Sequence, residues 1–329
     1  MKKTRILTLL SLPLLIGGLA SCNSSKDTSS TGSEAKTYKI GICQLVTHDA
    51  LDAATNGFKD AVKEGLGEAN VTFDLQNAAG DSATCAVIAN NFVSKKYDLI
   101  MANATPALQA CSNATSIIPI LGTSVTEYGT ALNIKDFSGT TGFNVSGTSD
   151  LAPLDQQASI LKDVFTTATK VGLLYCSAEA NSLYQVNVVK EELEKLGLAT
   201  KTMAFTDSND IASIIDGGLA DGVNALFVPT DNTAAANAET IEAKCSAKNI
   251  PVFAGEEGLC KICGAITLSI SYYNLGVKTG QMAVNILKNG ADIKTMAIQY
   301  DTNYVKKYNE TICNRLGITV PSDFVKIEA

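Results

Sequence analysis

The chain has a single histidine, His48, and no tryptophan. One histidine is too few to complete a zinc site around Cys260-Lys-Ile-Cys263, and the sequence has no second Cys-x-x-Cys pair. Catalysis of the Ser-His-Asp kind would also depend on His48, which has no serine nearby in the context of a nucleophile. Phosphate-binding loops, nucleophile elbows and His-Glu-x-x-His helices are missing as well. We therefore expect no metal, no cofactor and no enzymatic activity.

Charged residues are scarce, at 18% of the chain, and the net charge is −7. An acidic balance without Lys/Arg clusters argues against binding to nucleic acid and against adsorption to anionic lipid. After residue 22 no apolar run is long enough to span a membrane, because a spanning helix needs about 20 such residues. The apolar content of 46% is typical of a globular protein, and 329 residues are more than one core usually serves, so two domains are expected.

The first 22 residues have the pattern of an export signal. A basic start, Met1–Arg5, precedes an apolar run from Ile6 to Ala20, and Leu19-Ala-Ser leads directly into Cys22. This ending resembles a bacterial lipobox, which implies cleavage before Cys22 and lipidation of its thiol. The alternatives are an ordinary secretory signal or a membrane anchor, but the apolar run is short for an anchor. The sequence thus predicts an exported protein, lipid-anchored to the outer face of the bacterial cell membrane.

The segment after the signal is polar and has almost nothing to bury. We therefore interpret residues 1–21 as a lipoprotein signal peptide and residues 22–37 as a lipidated flexible tether. A Ser/Gly-rich chain of this length would hold the following domain roughly 20 Å from the bilayer. Loss of Lys2, Lys3 and Arg5 with the signal would change the net charge from −7 to −10.

Nine cysteines are present, and eight remain if Cys22 carries lipid. An even number in an exported protein suggests disulfides, but eight cysteines allow 105 pairings and the sequence does not choose among them. Cys43 and Cys176 lie in apolar strands, where buried free thiols are expected. The Cys260/Cys263 pair lies far from the early strand-to-helix junction that thioredoxin-like redox motifs occupy.

Short apolar runs alternate with helical patterns along the rest of the chain; among them, residues 141–145 are predicted to form a strand and residues 304–316 a helix. This alternation predicts βαβ units around parallel sheets, and the pattern restarts near residue 170 with a period near 130 residues. The fold class is therefore α/β, with two doubly wound parallel-sheet lobes joined by a three-segment hinge. Lobe 1 is assigned to residues 38–145 plus about 273–299, and lobe 2 to residues 149–269 plus about 302–329. Candidate hinge segments are residues 144–149, 269–273 and 299–303.

Polar residues collect where the strands of both halves end. In open parallel sheets ligands bind beyond the carboxyl ends of the strands, and two such edges facing each other across a hinge form a cleft. Any one of these residues could instead be a helix N-cap, and capping does not exclude a ligand role. The candidate ligand-binding residues, with Asn144 at the start of the first hinge segment, are His48, Thr105, Thr123, Ser124, Asn144, Ser177, Glu179, Asn181, Ser182, Thr230, Asp231, Asn232 and Glu256.

Several motifs in this order carry a family resemblance. They are Lys39-Ile-Gly-Ile-Cys-Gln44 with His48, Ala104-Thr-Pro-Ala107, Gly142-Phe-Asn-Val-Ser-Gly147, Glu179-Ala-Asn-Ser182, Val228-Pro-Thr-Asp-Asn232, Tyr272-Tyr-Asn-Leu-Gly276 and Gly280-Gln-Met-Ala283. Over about residues 38–325 the chain resembles the type I periplasmic-binding proteins of ABC transporters. More narrowly, it is similar to the tryptophan/tyrosine ABC transporter substrate-binding family.

The resemblance implies capture of a free aromatic amino acid (tryptophan, tyrosine or phenylalanine) in the cleft and delivery to a membrane permease. Thr105, Thr123 and Ser124 suit the α-carboxylate, and Asp231, with Glu179 as second choice, suits the α-ammonium. Tyr128 and Tyr184 are the aromatic side chains closest to the predicted cleft loops. The expected partners are the small-molecule ligand, the permease and the lipid anchor, and the protein is expected to be a monomer.

Two other classes of function use the same kind of sheet. An extracellular sensor domain of this fold would bind a different small molecule and pass a signal to a chemoreceptor or kinase. An extracellular enzyme on a doubly wound sheet would turn its ligand over, since fold alone does not exclude catalysis.

Overall fold

The computed structural model describes residues 36–328. The lipobox, Cys22 and most of the proposed tether therefore lie outside the described residues. Within 36–328 the strands are β1 (Tyr38–Gln44), β2 (Val71–Asn77), β3 (Leu99–Asn103), β4 (Ile120–Val125), β5 (Val145–Ser149), β6 (Lys170–Cys176), β7 (Ala199–Phe205), β8 (Ala225–Val228), β9 (Val252–Ala254), β10 (Ile266–Ser269), β11 (Gln299–Tyr300), β12 (Val305–Tyr308) and β13 (Val325–Lys326).

The α-helices of the described residues alternate with these strands. They are α1 (Asp49–Leu66), α2 (Ser82–Ser94), α3 (Thr105–Ala114), α4 (Tyr128–Leu132), α5 (Leu154–Val164), α6 (Ala180–Lys195), α7 (Ile211–Ala220), α8 (Asn232–Ala236), α9 (Ala238–Ser246), α10 (Glu257–Ile262), α11 (Tyr272–Asn289) and α12 (Glu310–Leu316). None of them is long and apolar enough to cross a membrane.

The strands form two sheets with the same internal order. The first sheet runs β11-β5-β4-β3-β1-β2, and the second runs β13-β12-β10-β9-β8-β6-β7. Five strands of each follow one pattern, since β5-β4-β3-β1-β2 corresponds to β10-β9-β8-β6-β7, as the internal repeat predicts. The paired strands are parallel except β10 and β12, which are antiparallel. This arrangement confirms the predicted fold of two doubly wound lobes.

The chain crosses between the two sheets three times. It passes from β5 to the second lobe, returns after β10 to α11, and crosses again between β11 and β12. These three connections are the segments that join the two lobes.

Helix α11 belongs to the first lobe, where it packs closely along α1. Glycines at the contact allow the two backbones to approach. Gly276 faces the backbone of Ala54, and Gly57 faces the backbone of Tyr273 so closely that neither position has room for a Cβ atom. The two helices together cover Ile40, Ile42 and Met101 of the first sheet. The contact also fixes Tyr272, the first residue of α11, relative to the amino end of α1.

Two segments differ from the sequence prediction. The strand expected over 141–145 begins instead at Val145, because the preceding turn contains Gly142 at φ +78° and is not extended. The helix expected over 304–316 is split into β12 and α12, because residues 305–308 pair with β10 at the edge of the second sheet.

All eight cysteines between Cys43 and Cys313 are buried free thiols, so the suggested disulfides do not occur among residues 36–328. They pack as small apolar residues inside the cores of the two lobes. Some thiols donate to backbone carbonyls, such as Cys313 Sγ to Ala265 O at 3.2 Å and Cys263 Sγ to Leu259 O at 3.5 Å. Burial raises the pKa of Cys313 to about 11, so its thiol stays protonated at neutral pH.

Candidate functional site

A cavity of about 10 Å³ lies between the carboxyl edges of the two sheets. Residues of both lobes enclose it. They are His48, Leu51, Ser124, Asp150, Thr230, Asp231, Asn232, Ala235, Glu256 and Tyr272. Ordinary ligand sites measure about 300–1,000 Å³, whereas this cavity has room for about one water molecule, so a ligand could enter only if the lobes moved apart.

Ser124 reaches the cavity because the end of β4 is irregular. The pairing of β4 with β5 shifts register between Gly122 and Val125, and Ser124 has a φ of +54°. Such a bulge turns a side chain away from the regular alternation of the strand. The Ser124 hydroxyl is buried and has no hydrogen-bond partner within the protein. A strained residue with a free hydroxyl at the edge of the sheet is suited to donate to a bound ligand.

Asp150 follows the last residue of β5 and has one free carboxylate oxygen. Its Oδ2 accepts a hydrogen bond of 2.8 Å from the Tyr272 hydroxyl, whereas Oδ1 is buried without a partner. Burial raises the pKa of this carboxyl, and interactions with the Tyr272 hydroxyl, the Thr126 hydroxyl and its own backbone N–H offset part of the rise. A buried carboxylate oxygen without a donor is costly, so this site is suited to a cationic group.

Asp231, by contrast, is held by hydrogen bonds within its own lobe. One oxygen accepts from Ala234 N at 2.8 Å and caps α8, and the other accepts from Cys176 N at 2.6 Å at the end of β6. Burial raises the pKa of Asp231, and the negative charge of Glu179 raises it further. Both oxygens thus hold the loop between β8 and α8 against β6.

Glu179 also serves this loop. Its two oxygens accept from the backbone and side chains of Asn232 and Thr233, at distances from 2.6 to 3.1 Å. Asn181 donates to Thr230 O at 2.9 Å from the same turn. These contacts fix Thr230 and Asn232 in the wall of the cavity, and they leave Glu179 itself outside the lining.

Glu256 is the N-cap of α10 and accepts from Gly258 N at 2.6 Å and from Leu259 N. It is only 3% exposed, and it lies at the boundary with lobe 1. Burial raises its pKa to about 7, the two backbone donors lower it, and the negative charge of Asp49 on α1 raises it.

Direct hydrogen bonds join the two lobes across the cleft. His48 Nε2, at the start of α1, lies 3.3 Å from Asn232 Oδ1. Thr126 Oγ1 lies 3.4 Å from Thr230 Oγ1, which also accepts from Gln185 Nε2 at 2.7 Å. Burial lowers the pKa of His48, so its ring is neutral at pH 7, and its Nδ1 is buried without a partner. The lobes are therefore closed on each other.

The lining is acidic. It contains three carboxyl groups, those of Asp150, Asp231 and Glu256, and it contains no lysine or arginine. No group of three or more His, Cys, Asp or Glu side chains among residues 36–328 is arranged to hold a metal ion. The lining therefore favours a positively charged group over a negatively charged one.

The structure brings together some of the predicted site residues and separates others. Those that line the cavity are His48, Ser124, Thr230, Asp231, Asn232 and Glu256. Glu179, Asn181 and Ser182 support that wall from behind through hydrogen bonds to Asn232, Thr230 and Asp231.

Four predicted residues do not line the cavity. Thr105 and Thr123 are buried in lobe 1, where Thr123 contacts the Thr148 hydroxyl at 3.3 Å. Ser177 is exposed and bonded to Phe205 O. Asn144 precedes β5 and therefore lies at the amino edge of the sheet, where its amide donates to the carbonyl oxygens of Thr115 and Ile118. Asn144, predicted at the start of the first hinge segment, therefore lies on the side of the sheet away from the cavity.

The prediction missed four lining residues, namely Leu51, Asp150, Ala235 and Tyr272. The same rule about strand ends would have found Asp150 if β5 had been placed over 145–149. Tyr272 lies in one of the motifs that carry the family resemblance and also within the predicted hinge segment 269–273. Of the aromatic candidates, Tyr128 is buried with its hydroxyl on Thr148 O at 3.0 Å, and Tyr184 packs on the core of lobe 2, so neither lines the cavity.

Known proteins resemble this chain over most of its length. The tyrosine-binding protein of Clostridioides difficile (strain R20291) is 33% identical over 295 residues, which cover 87% of this chain and 85% of that protein. An ABC domain from Streptococcus pneumoniae, solved in complex with L-Trp, has 32% sequence identity and a TM-score of 0.83, over 87% of this chain and 97% of its own.

A third relative was solved without ligand. The ligand-free, open structure of a substrate binding protein with adhesive properties from Clostridium difficile has 37% identity, covers 89% of this chain and 100% of its own, and has a TM-score of 0.66. The present structure is thus more similar in sequence to this open protein but superposes better on the L-Trp complex. That difference agrees with the interlobe hydrogen bonds described above.

The family model described as ABC transporter substrate binding protein matches residues 39–329. Two closed α/β lobes, a polar cavity between them and the similarity to a tyrosine-binding protein all agree with that match. The activity of this family is binding rather than catalysis, as the missing enzyme motifs predict. The chain belongs to the ABC transporter substrate binding protein family.

Proposed function

We propose that this protein captures an aromatic amino acid (tryptophan, tyrosine or phenylalanine) in the cleft between its lobes and delivers it to the permease of an ABC importer. The observation that carries the proposal is the free, buried Oδ1 of Asp150 in the interlobe cavity. The ligands of the two relatives, tyrosine for one and L-Trp for the other, support the same class of ligand.

The α-ammonium of the ligand is assigned to Asp150 rather than to Asp231. Asp150 Oδ1 has no donor, whereas both oxygens of Asp231 already accept backbone hydrogen bonds. The Tyr272 hydroxyl holds Asp150 in place through its other oxygen. A charge-assisted hydrogen bond to a buried carboxylate is about twice as strong as a neutral one, which favours the unoccupied acceptor. His48 Nδ1 is a second acceptor in the same lining.

The α-carboxylate finds only neutral donors here, because the lining has no lysine or arginine. The free hydroxyl of Ser124 is the donor whose geometry favours this role, since it is buried and unpartnered on the lobe 1 side. The aromatic ring would contact the apolar part of the wall, which consists of Leu51, Ala235 and the ring of Tyr272.

Binding requires the lobes to separate and close again. The cavity is smaller than ordinary ligand sites, and the bonds between His48 and Asn232 and between Thr126 and Thr230 span the cleft. The three chain crossings permit such a hinge motion. Closure around the ligand would create the form that docks on the permease.

The first test is a thermal-shift screen of residues 36–329 against the twenty amino acids. A ligand present at 100 times its Kd adds about 2.7 kcal/mol to the stability of the native state. We expect a selective rise in Tm with tryptophan, tyrosine or phenylalanine and none with glycine or glutamate. A selective rise with a non-aromatic amino acid would overturn the aromatic assignment.

The second test concerns the membrane anchor, which lies outside the described residues. We propose that Cys22 carries lipid and that the protein acts as a monomer tethered by it. Cys22→Ala is expected to move the protein from the membrane fraction to the soluble fraction, because the lipid supplies the membrane affinity. Fractionation and immunoblotting measure this, with Cys43→Ala as the matched cysteine control. A Cys22→Ala protein that still sediments with membranes after signal removal would refute the anchor.

A further inference from the structure

Glu256 is the buried acid that lies against the opposite lobe. It caps α10 in lobe 2, while the amino end of α1 in lobe 1 packs against the same turn. A Cβ atom on Gly258, two residues further on, would lie 3.0 Å from the Cβ atom of Asp49. With the lobes closed, Glu256 is only 3% exposed. Separation of the lobes would remove α1 and expose this carboxyl to water.

The groups that act most strongly on Glu256 are acidic or neutral, although Lys261, Lys307 and Lys326 line an adjoining pocket with it. Asp49 faces it from α1, and Glu257 follows it on α10 but is paired with Lys307 of β12 at 2.6 Å. Tyr272 of α11 faces it with a hydroxyl that is already bonded to Asp150.

The remaining titratable groups of the shared cavity are Asp150, Asp231 and the neutral ring of His48. None of these groups carries a positive charge. Of the three lysines in the adjoining pocket, Lys307 is paired with Glu257, Lys326 with Glu310, and Lys261 is exposed, so none of them forms an ion pair with Glu256. In the closed form burial raises its pKa to about 7, and Asp49 adds to the rise.

Asp231 is also buried, but the groups that act on its carboxyl lie in its own lobe, so closure changes its environment less than that of Glu256. Its hydrogen bonds come from Cys176, Ala234 and Ser182, and the charge that acts on it is that of Glu179. All of these residues belong to lobe 2. Asp150, in turn, is the proposed partner of the ligand ammonium and is ionised when the ligand is bound.

We propose that closure of the cleft is coupled to the uptake of one proton by Glu256. This inference rests on the proposed function, because closure is the step that traps the ligand. The direction follows from linkage. The closed form binds the proton more tightly than the open form, in which a solvated glutamate has its usual pKa near 4.3, so acid favours closure. The free energy by which protonation of Glu256 favours the closed form is fully present below the open-state pKa. It is lost as the pH rises through about 7, the pKa in the closed form.

Calorimetry of L-tryptophan and L-tyrosine binding in buffers of different ionisation enthalpy measures this proton. We expect uptake of nearly one proton at pH 6 and close to none at pH 8.5, and a Kd about tenfold weaker at pH 8 than at pH 6. Glu256→Gln, which keeps a capping oxygen but cannot titrate, should abolish the uptake and flatten the pH profile. Glu127→Gln is the matched control, because Glu127 caps α4 in the same way through Gly129 N and Thr130 N.

Two results would overturn the proposal and leave the proposed function intact. One is tight binding of either amino acid without proton uptake, and the other is unchanged uptake in Glu256→Gln. Absence of binding at both pH values would refute the proposed function instead. In that case small-angle X-ray scattering of the ligand-free protein tests whether closure is still linked to protonation. A smaller radius of gyration at pH 6 than at pH 8, lost in Glu256→Gln, supports it, and an unchanged radius overturns it.

Discussion

Replacement of Asp150 by asparagine is expected to weaken binding of L-tryptophan or L-tyrosine by about 2–5 kcal/mol, the usual result of leaving a buried charge without its partner. Asp150 Oδ1 is buried and free, and it is the acceptor that we assign to the ligand ammonium. The amide keeps the volume and can still accept from Tyr272, so the fold should persist. The loss corresponds to at least a thirtyfold rise in Kd, because 1.4 kcal/mol is a factor of ten.

The measurement is calorimetry at pH 7, with the Tm recorded for each variant. Asp155→Asn is the matched control, since Asp155 is an exposed acid in the first turn of α5 and should bind like the wild type. Asp231→Asn is the informative comparison. We expect it to lower the Tm, because Asp231 caps α8 and holds the end of β6. Wild-type affinity in Asp150→Asn would remove Asp150 from the ammonium site.

Replacement of Gly276 by alanine is expected to destabilise lobe 1 by about 3 kcal/mol or more. The added Cβ atom would overlap the carbonyl oxygen of Ala54 on α1, and backbone cannot move aside as a flexible side chain can. Overpacking of a tight core costs typically about 1–3 kcal/mol, and a contact with backbone belongs at the upper end. Because the same helix pair positions Tyr272 beside His48, ligand affinity should fall as well.

Urea denaturation measures the first effect and calorimetry the second. Gly217→Ala on α7 is the control, since nothing lies within 4 Å of the position of its Cβ atom. That change should stabilise the protein by about 0.5–1 kcal/mol through helix propensity. A Gly276→Ala protein as stable as the wild type would show that α1 and α11 can separate without loss, contrary to the close packing described here.

The position of strand β5 explains why the sequence prediction included Asn144 in the site and omitted Asp150. The run 141–145 contains threonine, phenylalanine and valine, which favour a strand, but Gly142 adopts a positive φ and the strand starts at Val145. The observed strand therefore begins and ends four residues later than the predicted one. As a result Asn144 lies at the amino edge of the sheet, and Asp150, which follows the strand, lies in the cavity. Local propensity could not resolve this, because register depends on the pairing of β5 with β4.

The roles of the acids were equally hidden from the sequence. Asp231, Glu179 and Glu256 all follow strands and precede helices, a position that suits both a helix cap and a ligand contact. In the structure all three accept backbone N–H groups at helix starts. Only the tertiary contacts distinguish Asp150, whose second oxygen no donor reaches.

The amino-acid sequence by itself determined the fold class, the duplication, the three crossings and the edge at which polar residues gather. These follow from hydrophobic periodicity and strand order, which are local patterns repeated along the chain. The tertiary structure alone decided which of the polar residues share a cavity, which carboxyl lacks a donor, and which acid the opposite lobe buries. Such properties depend on contacts between residues more than a hundred positions apart, as between Asp150 and Tyr272, and no local pattern encodes them.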